Sequence, residues 1–169
     1  SICTYTYQVV FDYPKRNVQE ILIADIVFVY QELVVSGNWG WECTSCNIER
    51  SARLSSKIDG IYELDYDGGH YNTHIALDVS YVDESTCRIN SLNFLHNSSY
   101  NSRAFTASGL ASVFTEKDAE GKLTRVGLRW IDSQNNDCDI TEFGLLNRGD
   151  AVFADSHYIS VGMYYLGKQ

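Results

Sequence analysis

The stretch LSSKIDGIYELDYDGGHYNTHIALDVSY, residues 54–81, decides the fold. Its even positions Leu54, Ile58, Tyr62, Leu64 and Tyr66 are apolar. The residues between them, Ser55, Lys57, Asp59, Glu63 and Asp65, are polar, with Ile61 the exception. A period of two marks a strand with one buried face. After Asp67-Gly68-Gly69-His70 the parity flips, and Tyr71, Ile75, Leu77, Val79 and Tyr81 form the apolar set. A two-residue Gly68-Gly69 loop matches these faces, pairing Tyr66 with Tyr71, Tyr62 with Ile75 and Ile58 with Val79. On the polar side that register sets Glu63 against His74, Asp65 against Asn72 and Asp59 against Asp78.

Working outward, Thr4 to Asp12 reads as a first strand, with Tyr5, Tyr7, Val9 and Phe11 alternating against polar neighbours, until Pro14-Lys15-Arg16 breaks it. Asn17 followed by Glu20 matches a capping box and opens a helix at Val18. The β-branched Ile21, Ile23, Ile26, Val27 and Val29 oppose that helix. Two readings stand there: a helix through about Leu33, or a short helical turn running into a strand. Further strands are predicted at Cys87–Leu95, Phe105–Thr115, Leu123–Ile131, Ile140–Leu146 and His157–Tyr165. The result is a mainly β chain: an antiparallel β-barrel or β-sandwich of about eight or nine strands with one N-terminal helix. With no internal repeat or linker in its 169 residues, positions 1–169 read as a single domain.

Composition narrows the function. Aromatic residues make up 13% of the chain, with 12 Tyr, 7 Phe and 3 Trp, which suits half-buried pleated surfaces. The formal charge is −9 and the sequence pI about 4.7, so nucleic acid and anionic lipid are disfavoured as partners. The longest strongly apolar stretch, Ile21 to Tyr30, contains Asp25 and falls short of the ~20 residues of a membrane helix. The chain opens at Ser1 with no leader, as a processed secreted protein would. Secretion in turn predicts one or two disulfides among Cys3, Cys43, Cys46, Cys87 and Cys138. Asn97-Ser98-Ser99 is a glycosylation acceptor.

Several constellations hold residue types that can carry chemistry. Cys43-Thr44-Ser45-Cys46 has thioredoxin-like spacing but no surrounding βαβ pattern, and a zinc site would need two more ligands from Cys87, Cys138, His70 and His74. The Asp65–His74 loop lacks the ligand spacing of a calcium loop, and Asp132–Asp137 reads as a polar turn. Neither a metal nor a cofactor is expected. His74 with Glu63 could orient an acid–base pair, completed by Ser56, Ser80 or Ser91, and Asp59 with Asp78 could form a glycosidase-type acid pair. Trp39-Gly40-Trp41 puts two indoles on one side of an extended strand, where they could contact a ligand with Tyr62 and Tyr71. Gly37-Asn38-Trp39 is similar to the Gly-x-Trp signature of lipocalins, a three-residue likeness that implies a barrel holding a small apolar ligand. The expected function is a secreted, non-enzymatic binding protein, in the manner of an effector. It would offer aromatic and acidic residues to a small apolar ligand, a glycan or a partner protein. The alternative is a small secreted hydrolase or isomerase using Glu63, His74, Asp59 or Asp78.

Overall fold

The computed structural model describes residues 1–12, 15–132, 137–149 and 156–169. Its elements are β1 (Ile2–Asp12), β2 (Val18–Glu32), β3 (Trp39–Leu54), a 3-10 turn (Ser56–Ile58), β4 (Gly60–Asp67), β5 (Tyr71–Asp83), β6 (Thr86–Ser98), β7 (Ser102–Lys117), β8 (Leu123–Trp130), β9 (Glu142–Asn147), β10 (Tyr158–Val161) and β11 (Tyr164–Lys168). Strands β4 to β11 close into an antiparallel barrel of order β10-β11-β4-β5-β6-β7-β8-β9. Strands β1, β2 and β3 form a separate three-stranded antiparallel sheet. The mainly β class predicted from alternation holds. The described strands exceed the eight or nine expected, because Val18–Glu32 is wholly strand, Trp39–Leu54 adds a strand not expected, and 158–168 is a hairpin rather than one strand.

The deciding hairpin keeps the predicted faces and changes its register. Tyr62 pairs with Leu77, Asp65 with His74 and Asp67 with Asn72, a shift of two residues from the expected partners. The Gly68 amide donates to the Tyr71 carbonyl at 3.0 Å, so Gly69-His70 is the loop. A two-residue shift leaves every side chain on its face. Gly68 matters here, since a Cβ would lie 2.5 Å from the Tyr66 ring, which stacks on Tyr71 with centroids 4.8 Å apart. The inward set from all eight barrel strands includes Tyr62, Leu77, Leu92, Leu128, Phe143, Ile159 and Leu166, each fully buried. The lumen is therefore a packed core. It is not the ligand chamber that the Gly-x-Trp likeness implies, and Gly37-Asn38-Trp39 lies in the three-stranded sheet, where the β2–β3 connection enters β3.

The predicted N-terminal helix is replaced by the 15-residue strand β2. Its β-branched residues fit a pleated surface and crowd a helix, and pairing on both sides satisfies its backbone. The two residues of the supposed capping box do other work. Asn17 sits in the barrel junction, where its amide donates to the Tyr158 carbonyl at 3.1 Å and its Oδ1 lies 3.2 Å from the Tyr62 hydroxyl. Glu20 is 3.5 Å from Arg50 on β3. Val18 and Leu54 enter the barrel's hydrophobic core, and the backbone bond from Leu54 N–H to the Glu84 carbonyl ties the sheet to it, while Ser55 N–H to Asn17 extends the β2–β3 pairing by one row. Gly60 turns the chain into β4 at φ +149, in a conformation few other residues adopt.

The expected disulfides do not form: all five cysteines are free thiols. Cys3 and Cys43 flank Phe28 on opposite sides of β2. That separates them by two strand spacings, about 9.5 Å, beyond the about 7 Å that a disulfide spans between Cα atoms. Cys87 is sealed in the barrel core, where burial pushes its thiol up to about 12. Cys138 is half-buried, its thiol 3.5 Å from the Ile140 carbonyl.

Candidate binding surface

Strand pairing assigns each side chain of the three-stranded sheet to a face. Cys3, Tyr5, Tyr7, Val9 and Phe11 of β1 share one face with Leu22, Ala24, Ile26, Phe28 and Tyr30 of β2. On β3 the same face carries Trp39, Trp41 and Cys43. An irregularity opposite Val27/Phe28 leaves Thr44 extra, so the face continues with Cys46 and Ile48. Between Glu32 at one end and the Glu20–Arg50 pair at the other, no residue on this face is charged. The opposite face holds Asp12, Asp25, Glu42, Glu49 and Arg53, with Thr6 donating to Asp25 at 2.7 Å and Gln31 to Glu42 at 2.5 Å.

The apolar face starts as core and ends as surface. Val18 and Leu54 are buried against the barrel, whereas Tyr7, Phe11, Ile48, Trp41 and Trp39 are exposed, Trp39 to 63%. Its rings touch one another: Tyr5 lies 5.8 Å edge-on from Phe28 and 6.2 Å from Tyr7, and Tyr30 lies 5.9 Å from Trp39 and 5.3 Å from Trp41. Trp39 and Trp41 were thus correctly placed on one side of a strand. Tyr5, Tyr7, Phe28 and Tyr30 complete the surface, and sequence alone does not join them to the tryptophans. The alternation of β1 was the available signal, and only strand pairing shows that it joins the tryptophans.

The other candidates are scattered. Tyr62 is fully buried, its hydroxyl donating to the Ile58 carbonyl at 2.7 Å, and burial drives its phenol far above the ordinary range. Tyr71 sits at a barrel mouth beside Tyr66 and 5.9 Å from His96. Asn97 is exposed at the end of β6, accepting from Ser102 at 2.5 Å. Asp59 accepts from the Tyr81 amide, and Ile61 rather than Asp59 stands opposite Asp78, so no acid pair forms. Ser133–Asn136 of the second polar loop, and Pro14, lie outside the described residues.

An open groove of about 850 Å³ runs over the outer face of β4 to β7, with Ala76, Ala104 and Thr106 on its lining and Glu63, Asp65 and His74 beside them. His74 is hydrogen-bonded through both ring nitrogens, Nδ1 to Asp65 and Nε2 to Asp67, each at 2.8 Å. Asp65 first, then Asp67, raises its pKa above the ordinary value. A histidine donating from both nitrogens is an imidazolium with no lone pair for a general base. Glu63 pairs with Ala76 rather than with His74. Among the described residues no group of three or more His, Cys, Asp or Glu side chains is placed to hold a metal ion.

Comparison with protein-family models, curated proteins and solved structures gave no match. The function must come from the surface itself.

Proposed function

We propose that this chain is a secreted, non-enzymatic binding protein that engages a partner protein through the apolar face of its N-terminal sheet. One observation carries the reading: a solvent-exposed aromatic face with no charge between Glu32 at one end and the Glu20–Arg50 pair, which separates it from the core, at the other. Contiguous exposed apolar surface larger than a few hundred Å² marks interaction sites in soluble proteins. Tyr and Trp dominate such sites because they bury much area at small entropic cost. A face running the length of three strands exceeds a single sugar or a small apolar ligand, which favours the protein partner among the ligand classes that composition admits. The hydrolase or isomerase reading has less support, since His74 is committed to two carboxylates and the acid pair is absent.

The reading is tested by photo-crosslinking. A benzophenone amino acid at Tyr7 or Trp41 is expected to yield discrete protein adducts in the fluid from which the protein is recovered. The same group at Thr4 or Glu49, on the polar face, is expected to yield none. Equal labelling from both faces, or none from either, overturns it.

A further inference from the structure

Resting on that reading, we infer that the occupant of the apolar face is a second copy of this chain, packed face to face as a two-fold sandwich of two three-stranded sheets. The first argument is area. Three strands spaced about 4.8 Å apart and sharing eleven rows give a face about 14 Å by about 37 Å, or about 500 Å² in projection. Two such faces bury about 1,000 Å² before side-chain relief is counted, which reaches the size of a specific interface. The second argument is shape. Along the rows shared by all three strands, the β1 row is bulky, with Tyr5, Tyr7 and Phe11. The β3 row, at the opposite edge of the sheet, is smaller at Cys43, Cys46 and Ala52. A two-fold axis lying in the interface parallel to the strands sets β1 of one copy over β3 of the other, bulky row against small row. The third argument is charge. The formal charge of −9 on each copy resides outside the face apart from the mutually neutralising Glu20–Arg50 pair at its barrel end, which is already largely shielded from water, so the main charge term opposing stacking is long-range repulsion.

That arrangement predicts the sign of the salt response. Added salt screens the repulsion between two acidic copies and strengthens apolar burial, so self-association tightens; a basic partner would be released instead. The experiment is sedimentation velocity from about 1 to 100 µM at low and at about 0.5 M sodium chloride. The wild type is expected to dimerise, with the dimer favoured at high salt. Tyr7→Lys and Ile26→Lys are each expected to weaken it at least tenfold, while Thr4→Lys on the polar face leaves it unchanged. Tyr7 stands on an exposed edge strand, and an unchanged far-ultraviolet circular dichroism spectrum excludes unfolding as the cause. A benzophenone at Tyr7 should also crosslink to the segment 43–48 of the second copy. A wild type that stays monomeric to 100 µM, or a dimer indifferent to both lysines, overturns the inference. Tyr7 adducts to a different protein would then leave the binding reading standing, whereas no adduct would remove both.

Discussion

Replacing Tyr62 by Phe removes one oxygen from the place where the sheet is latched to the barrel. The ring stays fully buried in either case, so the packing term hardly changes. What is lost is the hydroxyl's bond to the Ile58 carbonyl at 2.7 Å and its contact with Asn17 Oδ1 at 3.2 Å. Leaving a buried acceptor without its donor costs about 1–3 kcal/mol. For a chain of this size each kcal/mol lowers Tm by about 2–4 °C, so a central value of about 2 kcal/mol predicts a fall of about 4–8 °C. In urea the midpoint should fall by about 1 M at a slope of about 2 kcal/mol/M, with the slope itself unchanged. Asn17→Ala disrupts the same junction from the other side, including the bonds to the Tyr158 carbonyl and to His157 Nδ1 at 3.1 Å. Because the two side chains meet, the double variant should be less destabilised than the sum, by about 0.5–3 kcal/mol. Amide exchange at residues 18–20 should quicken in both single variants, since these residues enter the core through the junction. A Tyr62→Phe protein within 0.5 kcal/mol of wild type, or strictly additive effects, would refute a hydrogen-bonded latch.

Two further outcomes follow from the charged and sulfur-bearing groups. In a proton NMR titration His74 should titrate above the ordinary 6.5 and His157 below it, the first held by Asp65 and Asp67 and the second by burial. The linkage therefore runs in opposite directions. What His74 contributes is present below about 6.5 and lost as pH rises through its folded value; what His157 contributes is present above about 6.5 and lost as pH falls. Asp65→Asn should lower the His74 midpoint, and an unmoved midpoint contradicts the assignment. Alkylation followed by mass mapping should find five free thiols, with Cys43 and Cys46 modified in the native protein and Cys87 only after denaturation; a Cys3–Cys43 bridge would contradict the sheet geometry and any other bridge the free-thiol state.

The parts of this fold that were legible are those with one wet face. Residues 60–81 alternate because one side meets the packed lumen and the other meets water, so strand and faces could be read directly. Register within the hairpin could not, since a shift of two residues changes no face and therefore leaves no trace in the pattern. Strand β2 was opaque for a different reason. Ile21, Ile23, Val27 and Val29 lie on one side while Leu22, Ile26 and Phe28 lie on the other, so the stretch shows no period and resembles a buried helix or strand equally. The binding face was half visible. Trp39 and Trp41 two apart predicted a shared side, but the extra residue Thr44 moves Cys43 and Cys46 onto that same side against simple alternation. Only pairing gathers β1 to them.

The distal half of the sheet carries the strongest argument about function. Alternation in β1 and in the Trp39–Trp41 segment continues beyond the point where the barrel covers the face. A sheet that simply ended in solvent would gain nothing from a charge-free side, and an exposed apolar face invites aggregation. Here one side carries Asp12, Asp25, Glu42 and Glu49 among aliphatic chains such as Ile21 and Val27, whereas the other carries rings and aliphatic chains with no charge between Glu32 and the Glu20–Arg50 pair. The two sides of the sheet thus differ in charge, and among the described residues no second layer covers the exposed rings. Since an apolar sheet face is stable only when packed against another layer, the partner proposed above would supply that layer, with the barrel, joined to the sheet through Val18 and Leu54, carrying the face.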